Sequence, residues 1–213
     1  MTDSAPRRGR PPVSSREVIE EIAFGLLLRD GYEATTVQAI MAEGGIGRTT
    51  FFRYFGTKGG IVWGEFDRAV ERLRGCLDVG DDVSVMTSII RAIAESTRLS
   101  REASPDTWLD RFRVLDEDAA LSGETAEHWH IWAGAIASYI EERTGIPAGS
   151  VVPAAIGGAM QAAYVAVLRE WAAHPPLVDR SSLEAELATL GDALQPLLDA
   201  ASRPSDVASR PLG

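Results

Sequence analysis

The chain is poor in the groups that most often carry chemistry: its 213 residues include one cysteine, Cys76, one lysine, Lys58, and three histidines. A single cysteine cannot close an internal disulfide, and no Cys/His cluster has zinc spacing, so neither a disulfide scaffold nor a metal site is expected. His128 and His130 stand two apart. On a helix they point to different faces and make neither a metal pair nor a base with its orienting partner. Cys76 has no evident base beside it, and Asp116, Glu117 and Asp118 have the pattern of a solvated loop. An enzyme is not expected, and no cofactor is implied.

An apolar leader is also missing. The N-terminus holds arginines and prolines but no hydrophobic segment, which points to a cytoplasmic protein. The longest weakly polar run, Val151 to Leu168, contains Pro153, Gln161 and many Ala and Gly. It is a poor membrane span and reads as a buried helix, with no membrane partner.

What is present is an average globular mixture, 45% hydrophobic and 24% charged, with a formal net charge of -10. That excludes a fibrous or disordered chain and argues against indiscriminate binding to nucleic acid. The charge is unevenly spread. Residues 1–60 carry eight Arg/Lys and seven Asp/Glu, whereas 61–213 carry thirteen and twenty-four. The reading is therefore a flexible basic arm over 1–13, a small domain over 14–60, a larger helical domain over 61–200 and a flexible tail over 201–213.

Apolar residues recur at helical spacing throughout, and no stretch alternates with period two, so the chain is expected to be all-α with about nine helices. Ser14 and Glu17 form a capping box for a first helix ending at Gly31. Thr35 or Thr36 caps a short second helix, and a third runs from Gly47 or Arg48 to Tyr54. The fourth runs from Lys58 to near Gly80. Helices are expected beyond it over 85–97, from the Ser104-Pro105 start to Phe112, and over 124–144, 151–173 and 183–198. Gly145 and the Pro175-Pro176 pair act as stops.

Two short helices around a glycine turn, the second rich in Arg, Thr and aromatics, make the pattern of a helix-turn-helix. Between Gly44 and Gly60 stand Arg48, Arg53 and Lys58 and no acid. A helix flanked by phosphates needs that balance. Arg48 can reach guanine O6/N7, and Thr49 and Thr50 can donate to bases or touch a thymine methyl. Thr36 and Lys58, each at a helix start, are placed to hold phosphates. Phe51 and Phe55 are core candidates, while Phe52 and Tyr54 are candidates for the DNA face.

Gly31-Tyr32-Glu33-Ala34-Thr35-Thr36-Val37, the run Ile46 to Phe55, and Thr57-Lys58 resemble the DNA-binding domain of TetR-family transcriptional regulators. Gly47 departs from the family's usual small polar cap. Arg8 and Arg10 lie in an arm similar to the family's N-terminal extension, which often reaches DNA. Phe51 to Phe55 followed by Trp63-Gly64-Glu65-Phe66-Asp67 and Leu73 is similar to actinobacterial regulators of the mycofactocin system, a subgroup thought to sense long-chain acyl-CoA. The resemblance implies a homodimer on a pseudo-palindromic double-stranded operator, most often a repressor, released when an apolar small molecule occupies the larger domain.

Ala154, Gly158, Ala162 and Ala166 repeat every four residues and give one helix a flat face for close approach. Leu183, Leu187, Leu190, Leu194 and Leu197 alternate spacings of four and three, as in a coiled-coil seam, although Pro196 should bend or end that helix. Together they make a candidate four-helix dimer interface. Candidate ligand contacts are Trp63, Phe66, Met86, Ile90, Trp108, Phe112, Trp129, Trp132, Met160 and Tyr164, aromatic and soft side chains suited to an apolar effector. An acyl-CoA would also need cations for its phosphates, and Arg98, Arg101, Arg111 and Arg113 are the options. The alternative to the whole reading is a helical small-molecule-binding protein without sequence-specific DNA binding.

Overall fold

The computed structural model describes residues 15–77, 83–105, 107–174 and 180–203. Among them it shows nine α-helices and one 3-10 turn, with no strand: α1 (Arg16–Asp30), α2 (Val37–Glu43), α3 (Arg48–Phe55), α4 (Gly59–Leu77), α5 (Val85–Ala103), α6 (Trp108–Glu117), the turn Ala119–Leu121, α7 (Ser122–Thr144), α8 (Val151–Ala173) and α9 (Arg180–Ala201). The chain divides into two compact units between Ile61 and Val62.

In the first unit, helix starts follow the chemistry of free backbone N–H groups. Ser15, one residue beyond the expected Ser14, accepts from the Val18 N–H at 3.4 Å, and Thr36 accepts from the Ala39 N–H at 3.1 Å. Thr35 is not a cap; it is buried and donates to the Gly31 carbonyl at 2.8 Å. Gly47 precedes α3 with no side chain to cap it. Gly45, at φ 61°, makes the left-handed turn between α2 and α3 that a side chain would resist. Ile19, Ala23, Phe24, Leu27, Ile40, Phe51 and Phe55 form the core between the three helices. Each large side chain there contributes about 1.5 to 3 kcal/mol by leaving water. Arg16 links α1 to α3, pairing with Glu20 at 3.0 Å and lying over the Phe55 ring.

In the second unit α7 packs on α8, α5 and α8 pack on α9, and α6 packs on α7 and α8. Two glycines set the closest approaches. A Cβ on Gly157 would fall 2.4 Å from the Ala133 carbonyl oxygen, and one on Gly191 would fall 2.5 Å from Ile90 Cδ1. Gly145, at φ 71°, ends α7 with its N–H on the Glu141 carbonyl at 2.9 Å.

Several expected elements shift. α5 continues to Ala103 rather than stopping at Thr97, and α6 begins at Trp108 after Thr107, so Pro105 precedes the helix instead of opening it. Asp116 and Glu117 belong to α6; Asp116 accepts both Arg169 nitrogens at 2.7 Å, and only Asp118 lies in the connection. Pro196 does not end α9, which runs on to Ala201. Asp192, one turn back, whose carbonyl loses its helical donor to the proline, is an exposed residue. α8 is long and apolar enough to cross a membrane by composition, and only 39% of that window is buried. The expectation of a buried helix is thus half met: Ile156, Met160, Tyr164 and Leu168 face inward, while Ala154, Ala162 and Ala166 are exposed. The Pro175-Pro176 stop, Gly80 and the tail beyond 203 lie outside the described residues.

Candidate nucleic-acid interface and effector cluster

The outer face of α3 presents Arg48, Thr49, Phe52 and Arg53 to solvent, with Thr50 and Tyr54 half-buried. α3 holds no acidic residue. Phe51 and Phe55 anchor the opposite face, and a ring network carries that anchoring outward. Phe52, 42% exposed, sits edge-on to buried Phe51 at 5.5 Å, and the Arg48 guanidinium lies over the Phe52 ring at 5.1 Å. Arg53 covers Tyr54 in the same way at 5.1 Å. Such stacking holds a flexible cation in place for about 0.5 to 1 kcal/mol at an exposed site. The sequence showed the charge of Arg53 without marking it as a site residue; only the geometry places it on the same face.

Thr36 is exposed at the start of α2, its oxygen already engaged by the Ala39 N–H. Lys58 is half-buried and has an engagement that spacing did not suggest. Its ammonium donates to the Tyr32 carbonyl at 2.5 Å and the Thr35 carbonyl at 3.0 Å, and it lies 4.0 Å from the Tyr32 ring centroid. It ties the α1–α2 connection to the start of α4. Two of its three donors are thereby committed to the protein, and its first role is structural. Tyr32 was absent from the candidates because no spacing rule pairs residues 26 apart. Arg8 and Arg10 lie outside the described residues.

In the second unit the candidate ligand residues separate into groups. Phe66, Trp129, Trp132 and Tyr164 form a chain of rings: Phe66 to Trp129 at 5.0 Å, Trp129 to Trp132 at 5.8 Å, and Trp132 stacked on Tyr164 at 5.3 Å. Trp63 joins it through Phe66 at 6.2 Å, stacks flat on His128 at 3.9 Å, and donates its indole N–H to Glu124 at 2.5 Å. The Thr97 hydroxyl lies 2.7 Å from both the Ile93 carbonyl and the Tyr164 hydroxyl. Its single proton goes to the carbonyl, so Tyr164 is the donor in the second bond. Burial pushes the Tyr164 phenol up to about 12, opposed in part by the Arg72 charge.

Met160 and Phe112 are buried, and Trp108 is half-buried against Trp171 at 6.3 Å. Met86 is buried and Ile90 is half-buried. They pack against α9, where Gly191 leaves room for Ile90 and the Gln195 side chain accepts the Met86 N–H at 3.1 Å. Three of the four arginines also sort by partner, and the fourth, Arg101, is half-buried at the end of α5. Arg98 is held by Glu95 and Glu102, and Arg113 lies near Asp110 and Glu117 at the surface. Arg111 is buried and turned toward Glu65 at 3.8 Å, the carboxylate that also binds Arg72 at 2.5 Å and Arg68 at 2.7 Å. Arg72 further donates to Ser100 at 3.0 Å. Glu65, Arg68 and Arg72 share one face of α4 at i, i+3 and i+7, which spacing could have shown; only contact across α4, α5 and α6 brings Ser100 and Arg111 to them.

On the expected dimer face, Ala154, Ala162 and Ala166 are exposed and Gly158 is partly so. Leu183 and Leu187 are corrections, because both are buried within the chain and have no surface left for a second copy. Leu190 and Leu194 are half-buried, and Leu197 is 47% exposed.

A helix-turn-helix unit with an acid-free outer helix, followed by a separate helical unit with an aromatic interior, defines a one-component transcriptional regulator. Residues 14–62 match the sequence model of bacterial regulatory proteins of the tetR family, and residues 83–195 match the MftR C-terminal domain. The chain belongs to the TetR family. It is 25% identical over 165 residues, 78% of this chain and 83% of the relative, to the proposed mycofactocin biosynthesis transcriptional regulator MftR of Mycobacterium tuberculosis. Among solved structures it is similar to the fatty acid degradation regulator FadR from Bacillus halodurans, with a TM-score of 0.58 at 14% identity over 89% of this chain and 97% of that one. It is also similar to NalD, the secondary repressor of the MexAB-OprM multidrug efflux pump in Pseudomonas aeruginosa, with a TM-score of 0.54 at 15% identity over 82% and 92%. A triclosan complex of SmeT matches at 0.55 and 16% over 93% and 98%. Family membership makes the protein a DNA-binding transcription factor and not an enzyme.

Proposed function

We infer that the protein is a cytoplasmic repressor that binds a pseudo-palindromic operator as a homodimer and is released by an apolar small molecule, with a long-chain acyl-CoA as the leading candidate. The observation that carries the DNA reading is the outer face of α3: Arg48, Thr49, Phe52 and Arg53 stand exposed without an acid among them. One such helix spans few base pairs. Two copies on successive major grooves, about 34 to 36 Å apart, supply an operator's worth of contacts. The exposed small-residue face of α8, with Leu190, Leu194 and Leu197 of α9, supports pairing of two copies.

The effector reading rests on the ring chain from Trp63 to Tyr164, beside which Arg72 and Arg111 meet at Glu65. A fatty acid degradation regulator and a triclosan complex among the similar folds agree with an apolar effector. Ligand binding would favour a head spacing unsuited to DNA, and a coupling of about 1 to 3 kcal/mol weakens operator binding about 5- to 150-fold. The domain division proposed is an arm over 1–13, a DNA-binding domain over 14–60, an effector and dimer domain over 61–200 and a tail.

The test is a titration of purified protein against DNA from upstream of its own gene at near-physiological salt, with and without palmitoyl-CoA, for wild type, Arg48→Ala and Ala162→Glu. Sequence-dependent binding that Arg48→Ala relaxes, palmitoyl-CoA weakens and Ala162→Glu converts to a monomer by sedimentation is expected. Binding no tighter than to random DNA of the same length would count against the regulator reading of α3.

A further inference from the structure

The outer face of α3 exposes one large apolar side chain, Phe52. A single ring in water needs no explanation by itself, but the neighbours of this one supply a role for it. Arg48 precedes it by four residues, one helical turn, and rests its guanidinium over the ring at 5.1 Å. The ring in turn stands edge-on to Phe51 at 5.5 Å, and Phe51 is fully buried beside Phe55 at 5.4 Å. A line of contacts thus runs from the core of the first unit to a charge in solvent.

Two independent features indicate that this line serves the charge rather than the helix. First, the start of α3 is arranged against local stability. Gly47 supplies no side-chain cap, no acid occupies the first turn, and Arg48 puts a cation at the end where the helix dipole is already positive. Second, the arginines of α3 are held differently from those elsewhere at the surface. Arg29, Arg74, Arg98, Arg113 and Arg169 are each paired with a carboxylate. Arg48 and Arg53 lie instead over the rings of Phe52 and Tyr54, with no carboxylate partner among the described residues. The difference is chemical. A carboxylate fixes a guanidinium by occupying its N–H edge and cancelling its charge, and phosphate would repel it. A ring against the guanidinium face fixes it while the charge and the in-plane donors stay available.

We propose that Phe52 is a positioning residue for DNA recognition, holding the Arg48 guanidinium in the direction in which it meets a base edge. The proposal rests on the reading of α3 as the helix that contacts DNA. A freely moving arginine loses rotamer freedom when it binds, and a ring that has already ordered it removes part of that loss. Stacking at an exposed site corresponds to about a 2- to 5-fold gain in affinity per subunit, felt at the base pair that Arg48 reads and not at others.

Duplexes enriched by the full chain from a random-sequence library, with their single-base variants, are the probes. A double-mutant cycle of Arg48→Ala with Phe52→Leu on them is the test. Leucine keeps an apolar, helix-favouring side chain but has no π face. Phe52→Leu should leave the thermal midpoint and the slope of log K against log salt unchanged, since no charge is removed. It should lower discrimination about 2- to 5-fold per subunit at the base pair that Arg48→Ala affects, and change nothing once Arg48 is replaced. Phe52→Tyr should keep the coupling to Arg48, because whatever its hydroxyl adds appears on both sides of the cycle. In the free protein, NMR relaxation at the Arg48 Nε should show greater mobility in Phe52→Leu than in wild type or Phe52→Tyr. Additive losses for Phe52→Leu and Arg48→Ala would make Phe52 a DNA contact in its own right and overturn the proposal. So would unchanged Arg48 Nε mobility, or a uniform loss at every base pair with a lowered thermal midpoint, the mark of a weakened helix. A library from which the wild type enriches nothing removes the DNA reading of α3 together with the proposal, whereas enrichment with an additive cycle removes the proposal alone.

Discussion

Replacing Lys58 by methionine separates two roles that the same residue type could fill. A lysine at the start of a helix beside a DNA-reading element can hold a phosphate, yet here the ammonium donates to the Tyr32 and Thr35 carbonyls and lies over the Tyr32 ring. A hydrogen bond to a charged group contributes about 1.5 to 3 kcal/mol, and half-exposure of this one places the pair of bonds near the low end, at about 2 to 3 kcal/mol in total. Two carbonyls lose their donor, while the methionine keeps the apolar stem. Amide hydrogen exchange in the first unit is the direct assay, because 2 kcal/mol corresponds to roughly a 30-fold loss of protection for core amides. Ile19, Ile40 and Phe51 are the amides to follow, all three buried in that core. DNA titrations across salt provide the second readout. A structural Lys58 leaves the slope of log K against log salt unchanged, whereas a phosphate contact contributes about 0.9 per subunit. Unchanged protection with a slope reduced by about 0.9 per subunit would refute the structural role and restore the phosphate one.

Arg48→Ala should cost about 1 to 3 kcal/mol of discrimination at one base position, seen as a relaxed preference in binding to a library of operator variants. Gly157→Ala should destabilise by about 1 to 3 kcal/mol in urea unfolding, because the new Cβ meets the Ala133 carbonyl, whereas Gly134→Ala should be neutral or stabilising by up to about 1 kcal/mol. For Tyr164 the folded phenol titrates near 12, above its ordinary 10, so the unfolded chain releases that proton first. Stability should therefore be intact below pH 10 and fall as pH rises toward 12, and Tyr164→Phe should remove that fall along with the late tyrosinate absorbance step.

The sequence by itself determined the helical class, the helix-turn-helix and most helix positions, because those depend on local chemistry. Caps, glycine stops and the 3.6-residue recurrence of Ile, Leu and Phe act within a few residues of each other. Thr36 and Gly145 do their work at the positions that spacing assigned them. The charge contrast of α3 was equally readable, since no fold is needed to count acids. Spacing could not say which face of a helix is already occupied. Leu183 and Leu187 fit a seam between two copies, yet α9 turns them into its own chain; Met86 and Ile90 fit a ligand wall, and their packing toward Gly191 and Gln195 of α9 was not legible from spacing. Lys58 fits a phosphate site until the carbonyls of Tyr32 and Thr35 arrive from more than twenty residues away. Partners distant in sequence compete for the same side chains, and tertiary packing alone settles that competition.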